Sequence, residues 1–322
     1  MMRLLLWIGG VLLAFSAVAQ TGAEAPRQPG DYPFTADSLE QPQVPRGKLE
    51  GPFEFHSNVF PDTVRRYWIY VPVNYDAQNP PNLLVFQDGQ RAINPKGSLR
   101  IPTVLDNLIH RGDIPSTLGL FITPGNVSET YPDDLGMSNP DHRAQEYDVL
   151  NDRYTQFLIE EMLPQVAKDY RFSADPAKRI IGGTSSGAIC AFTVGWHRPD
   201  AFGNVISFIG SYTSIGYQPA TTDQPLQPGG DLYPGLIRKS AIRPLRIFLQ
   251  GGSNDIDNEH GNWFLANQQM QLALQWANTH ADEQGSTGPR YDVRHVWGDG
   301  GHSDQHGGSL MPEVLRWMWR DQ

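Results

Sequence analysis

The chain has 322 residues, 39% of them hydrophobic and 19% charged, which is enough apolar material for a substantial core and too little charge for a disordered chain. A formal charge of -10, with no run of Lys and Arg to offset it, sets the surface against phosphate backbones and anionic lipid, so no nucleic-acid partner is expected. Cys190 is the sole cysteine, which excludes an intramolecular disulfide and reads as a small buried residue.

Met1-Met2-Arg3 carries one positive charge into an apolar stretch over 4–18 that ends Ala17-Val18-Ala19. A charged start, a short apolar run and a small-x-small site predict a signal peptide over 1–19, cleaved after Ala19. A periplasmic or secreted protein with no stable membrane insertion after cleavage follows, because about 15 apolar residues barely span a bilayer. No cysteine follows the stretch to accept lipid. Residues 20–48 are rich in Pro, Gly, Gln and acidic groups with no apolar period, and read as a flexible leader; 49–322 reads as a single domain.

Alternation at 51–55 and 66–71 predicts two strands with an antiparallel start. Leu83-Leu84-Val85-Phe86 is the continuous apolar run of a strand buried on both faces, and the turn Asp88-Gly89-Gln90 follows it. A second such run covers 118–123. Helical spacing of Phe157, Leu158, Met162, Val166 and Tyr170 predicts a helix over 154–170, kinked at Pro164. Strands are then expected at 179–182, 205–209, 245–249 and 291–297, with helices at 187–196, 263–278 and 312–320, the last with Pro312 in its first turn. This alternation predicts an α/β fold with a mostly parallel sheet covered by helices on both faces, and a site in the loops at the strands' C-terminal ends.

Gly183-Thr184-Ser185-Ser186-Gly187 fits G-x-S-x-G between a predicted strand and a predicted helix, the context of a nucleophile in an α/β-hydrolase. A serine needs a base to take its proton and an acid to orient that base, supplied in the chain order Ser, Asp or Glu, His. His302, after Gly298-Asp299-Gly300-Gly301, is the expected base, with His306 and His260 as competitors. Asp255, past the 245–249 strand, is the expected acid; Asp257 and Glu259 are its rivals. The oxyanion donors are expected from the backbone N–H groups of Ser186 and Gln90, which leaves Asp88 as the organiser of its turn. His302 and His306 as an H-x-x-x-H metal pair lack a helix to put both rings on one face, so neither a metal nor another cofactor is expected. Trp263 and Trp297 offer flat surfaces for an aromatic or sugar substrate, the alternative being core packing.

With these residues in view the chain resembles the esterase D or enterochelin-esterase-like family of α/β-hydrolases. The resemblance runs from Tyr67 to Trp319 through Tyr70-Val71-Pro72, Phe86-Gln87-Asp88-Gly89, Glu146-Tyr147-Asp148, Gly183 to Gly187, Asn254-Asp255 and Gly300-Gly301-His302. That family includes siderophore trilactone esterases, feruloyl esterases, S-formylglutathione hydrolases and mycolyltransferases, and it implies an α/β-hydrolase fold and a shared Ser-His-acid mechanism. It also implies that Arg143 and Glu146 lie near the catalytic end of the sheet, either shaping substrate access or pairing with each other to hold a loop. True enterochelin esterases carry a further N-terminal β domain, for which the chain ahead of Gly51 is short. The expected function is an exported serine carboxylic ester hydrolase acting through an acyl-enzyme on small-molecule or carbohydrate esters, hydroxycinnamoyl or acetyl. The alternatives are a siderophore trilactone esterase and a non-catalytic carbohydrate- or partner-binding module on the same fold.

Overall fold

The computed structural model describes residues 30–322, so the expected signal peptide and the first part of the leader lie outside the described residues. An antiparallel pair opens the sheet, β1 (Lys48–His56) against β2 (Thr63–Val71). The buried strands β3 (Asn82–Gln87) and β4 (Thr117–Ile122) follow, with the two-residue β5 (Asn126–Val127) bridging back to β2. Then come β6 (Arg179–Thr184), β7 (Asn204–Phe208), β8 (Arg246–Gly252), a small ladder of β9 (Asp257–Asn258) and β10 (Gly261–Asn262), and β11 (Asp292–Gly298). The main sheet has nine strands, eight of them in the order β1-β2-β4-β3-β6-β7-β8-β11, parallel from β4 to β11.

Strand period sorts the side chains into two cores. Leu83, Val85, Leu118, Leu120, Ile181, Val205, Ile247 and Leu249 face one side, under α6 (Ser186–His197) and α8 (Trp263–Glu283). Leu84, Phe86, Phe121, Ile180, Ile206, Phe208 and Phe248 face the other, under α2 (Ile101–Arg111) and α9 (Asp304–Met318). The shorter helices are α1 (Gly89–Ala92), α3 (Arg143–Tyr147), α4 (Arg153–Gln156), α5 (Leu163–Val166) and α7 (Tyr233–Lys239). The expected fold class holds.

Three expectations need correction. The helix read over 154–170 is α4, a π-helical turn at Phe157–Met162 and then α5. Pro164 has no N–H to give a carbonyl four residues back, and the widened turn before it absorbs that loss. The closing helix begins at Asp304 rather than Pro312, so Pro312 is interior. Its first turns hold Gly307 and Gly308, whose absent Cβ atoms would lie 2.5 Å from the Phe208 ring and 2.0 Å from the Ser98 carbonyl oxygen. Those glycines serve close packing, whereas in the sequence they read as loop. The described part of the leader is tied down as well: Tyr32 stacks on His306 with ring centroids 3.9 Å apart, and Asp37 pairs with Arg111 at 2.6 Å and Arg316 at 2.5 Å.

A buried ion pair fixes the segment that leads from β5 to α3. Arg65 on β2 meets Glu146 in two hydrogen bonds of 2.7 and 3.0 Å, with both side chains fully shielded from water. Glu146 also accepts from the Gly125 N–H at 3.1 Å, and the Arg65 guanidinium lies 4.1 Å from the Phe157 ring centroid. Removing Arg65 leaves the buried Glu146 with only His142 Nδ1 at 3.0 Å and the Gly125 N–H as partners, so Arg65→Met is expected to cost about 3 kcal/mol. Urea unfolding measures it, and a loss below about 1 kcal/mol contradicts this role.

Candidate active site

β6 runs into α6 through Ser185, whose φ of 60° and ψ of -122° few residues other than glycine tolerate. The glycines at either side explain the spacing. A Cβ on Gly183 would sit 2.3 Å from the Gly187 carbonyl, and one on Gly187 would sit 3.1 Å from both Gln87 and the Asp88 carboxylate. The nucleophile turn therefore presses against the turn after β3.

His302 Nε2 lies 2.8 Å from Ser185 Oγ, and His302 Nδ1 lies 2.5 Å from Asp255 Oδ1. Asp255 is fully shielded and also accepts from the Ile256 N–H at 2.7 Å. Its sequence rivals are elsewhere: Asp257 and Glu259 are exposed, and Glu259 is 3.9 Å from His260. His306, the competitor for the base, is buried on α9 with Nδ1 2.9 Å from the Gln250 amide. Loop lacing holds acid and base in register. Ser253 N–H donates to the Gly298 carbonyl and Asn254 N–H to that of Gly300, while Gly252 approaches Gly300 so closely that a Cβ would lie 2.1 Å from its oxygen.

Gln90 and Ser186 both sit in first helical turns, where backbone N–H groups have no intrahelical acceptor. Between them Asp88 is buried and bound by Arg143 at 2.9 and 2.8 Å and by Arg91 at 2.8 Å. Burial works to raise the Asp88 carboxyl, but the two guanidiniums outweigh it and hold it below the ordinary carboxylate value. Arg143 also reaches the Thr184 carbonyl at 3.4 Å, which ties the Gln90 turn to the Ser185 turn.

The residues expected to touch substrate are placed differently. Arg143 is engaged with Asp88, and Glu146 is locked to Arg65, so the two do not pair with each other. Trp263 is only 2% exposed and stands edge-on to His302, ring centroids 5.8 Å apart, which makes it a wall behind the imidazole rather than a platform. Trp297 packs against Phe264. Two residues near the nucleophile turn were not among the expected site residues. Ser211 Oγ is 3.2 Å from Ser185 Oγ. Burial raises the Asp148 carboxyl above the ordinary range, and the nearby Ser186 hydroxyl works against that rise. The Glu146-Tyr147-Asp148 run was the available signal for the second. Among the described residues no group of three His, Cys, Asp or Glu is set to hold a metal, and no helix is long and apolar enough to cross a membrane.

The chain is similar to known proteins in sequence and in fold. The chain is 29% identical over 206 residues to the iron(III) enterobactin esterase of Escherichia coli, covering 64% of this chain and 44% of that protein. It is 28% identical over 216 residues to that of Dickeya dadantii, 66% and 45% of the two chains. It thus spans less than half the length of these curated relatives. In fold it is similar to the Shigella flexneri enterobactin esterase solved in the presence of enterobactin, with a TM-score of 0.64, 24% identity, and 92% and 63% of the chains covered. It is similar too to a ferulic acid esterase from Anaeromyces mucronatus in complex with ferulic acid, at a TM-score of 0.61, 16% identity, and 87% and 93% coverage. Residues 58–310 match the family described as "Putative esterase". On that match and on its α/β-hydrolase fold, the chain belongs to the esterase family.

Proposed function

We propose that this protein hydrolyses carboxylic esters through an acyl-enzyme on Ser185. The observation that carries the proposal is the unbroken hydrogen-bond path from Ser185 through His302 to Asp255. In this mechanism the Ser185 hydroxyl adds to the ester carbonyl carbon while its proton passes to His302 Nε2. The carbonyl oxygen, now negative, is held by the N–H groups of Gln90 and Ser186. Asp255 accepts from His302 Nδ1–H and stabilises the imidazolium. His302 then protonates the departing alcohol oxygen. Water repeats the sequence on the acyl-enzyme and releases the acid and free Ser185.

For the substrate we infer a hydroxycinnamoyl or acetyl ester of a carbohydrate. Support comes from the overall charge of -10, which disfavours a trianionic ferric catecholate. It comes also from a cavity of about 360 Å³ lined among others by Phe60, Gln145, Asp148, Asn151, Gln218 and Gln227, groups suited to sugar hydroxyls. Siderophore trilactone hydrolysis is the second reading, favoured by the identity to enterobactin esterases. The apolar stretch over 4–18 supports export to the periplasm or medium.

Ser185→Ala and His302→Ala are expected to lower kcat by several decades, and Asp255→Asn by about ten-thousandfold because an amide holds the wrong imidazole tautomer. Asp257→Asn and Glu259→Gln should cost less than about tenfold. Rates on one activated aryl ester decide this; a collapse in Glu259→Gln with Asp255→Asn near wild type would move the acid to Glu259. Comparison of kcat/KM for feruloyl, acetyl-sugar and trilactone esters tests the substrate, a clear preference for the trilactone reversing the order of the two readings. Intact mass of the chain recovered from its host tests export: a product beginning at Gln20 is expected, and a full-length chain contradicts it.

A further inference from the structure

Ser211 lies just past the end of β7, and the chain reaches it by an unfavourable route. Ile209 has a φ of 42°, a left-handed value that a β-branched residue resists. Neighbouring groups impose it. Ile209 N–H donates to the Gln250 carbonyl at 2.7 Å, and the buried Asn267 amide donates to the Gly210 carbonyl at 2.8 Å. The result brings Ser211 back over the nucleophile, where its N–H donates to the Ser185 carbonyl at 3.2 Å and its Oγ comes 3.2 Å from Ser185 Oγ. Ser211 is fully buried, and Trp263 Nε1–H donates to its oxygen at 3.1 Å.

The direction of every bond in this row follows from its two ends. An indole N–H can only donate, so Ser211 Oγ accepts from Trp263. An ionised carboxylate can only accept, so His302 carries its proton on Nδ1 toward Asp255 and presents a bare Nε2 to Ser185. Ser185 must then donate to His302, and the Ser211 hydrogen is left for Ser185 Oγ. The row runs one way: Trp263 to Ser211 to Ser185 to His302 to Asp255.

We propose that Ser211 is a further catalytic residue, a donor held by Trp263 that stabilises negative charge on Ser185 Oγ during both acylation and deacylation. The inference rests on the esterase reading above. In acylation the Ser185 proton moves to His302 Nε2, the Oγ–C bond forms and the carbonyl π pair moves to the carbonyl oxygen. In deacylation the C–Oγ bond breaks, Oγ keeps the electron pair and takes back the proton from His302. Ser211 keeps its own proton throughout. Its bond to Oγ is between neutral groups at rest and becomes charge-assisted as Oγ gains charge, so it strengthens where the barrier lies.

Ser211→Ala is therefore expected to lower kcat and kcat/KM together by about tenfold to a hundredfold with KM little changed, the pattern of an interaction made in the transition state. Trp263→Phe removes the indole donor while keeping a ring edge toward His302, and is expected to produce part of the same loss. The double variant separates relay from packing: with Ser211 already Ala, adding Trp263→Phe should cost almost nothing more. Steady-state rates on an activated aryl ester, with thermal unfolding to confirm folded variants, supply the cycle. Additive losses, or wild-type kcat in either single variant, overturn the proposal, and Trp263→Phe alone decides it if Ser211→Ala does not fold. Ser185→Ala in the same assay keeps the two claims apart. If it is inactive while Ser211→Ala and Trp263→Phe match wild type, only the role of Ser211 falls; if it retains wild-type activity, the esterase reading falls with it.

Discussion

The turn at Ser185 is the constraint on which the rest of the site depends. Gly183 and Gly187 must nearly touch for the chain to pass from β6 to α6 in so few residues, and that contact forces Ser185 into a conformation its side chain disfavours. Such strain costs of order 1–3 kcal/mol and persists only where the surroundings over-determine it. Here they do so from the neighbouring strand, with Ser185 N–H donating to the Phe208 carbonyl at 2.9 Å and Ser211 N–H to the Ser185 carbonyl. A second strained residue, Ile209, is thereby enlisted to hold the first. The reward is a half-buried hydroxyl at the C-terminal edge of the sheet, within reach of loops from β3, β8 and β11.

Charge buried behind the site gives those loops fixed positions. Asp88 joins the turn after β3 to Arg143 and through it to the Thr184 carbonyl, while Arg91, its other partner, comes within 3.6 Å of Asp304 at the start of α9, two residues beyond His302. One carboxylate thus links the Gln90 turn, the nucleophile turn and the base-bearing loop. Burial works to raise its carboxyl, but Arg143 and Arg91 outweigh that and favour its charged form. Arg65 and Glu146 do the same one layer back, anchoring the segment that carries Arg143.

How much of this was legible in the sequence depends on how local each signal is. The buried strands could be read because continuous apolar runs such as Leu83 to Phe86 have few alternatives, and Ser185 and His302 could be singled out because glycines frame them. Choosing Asp255 among three carboxylates needed position as well as type. The glycines misled where they serve packing: Gly307 and Gly308 read as loop and hid two turns of α9. The helix α2 went unread, its apolar face of Ile101, Val104, Leu105 and Leu108 lying just after a stretch of turn residues. Glu146 could not be assigned its true partner, because Arg65 is 81 residues away on β2. Ser211 left no trace at all, since its placement rests on a backbone conformation that an isoleucine would not be expected to adopt.

The claim that Ser185 is an activated nucleophile is tested most directly by covalent capture. A fluorophosphonate reacts with a serine hydroxyl only when a neighbouring base has raised its nucleophilicity. After incubation with such a reagent and proteolysis, tandem mass spectrometry should locate a single phosphonyl adduct on Ser185, with none formed in Asp255→Asn within the same time. Failure of the wild-type protein to label, or an adduct on another residue such as Ser186 or Ser211, would contradict the account.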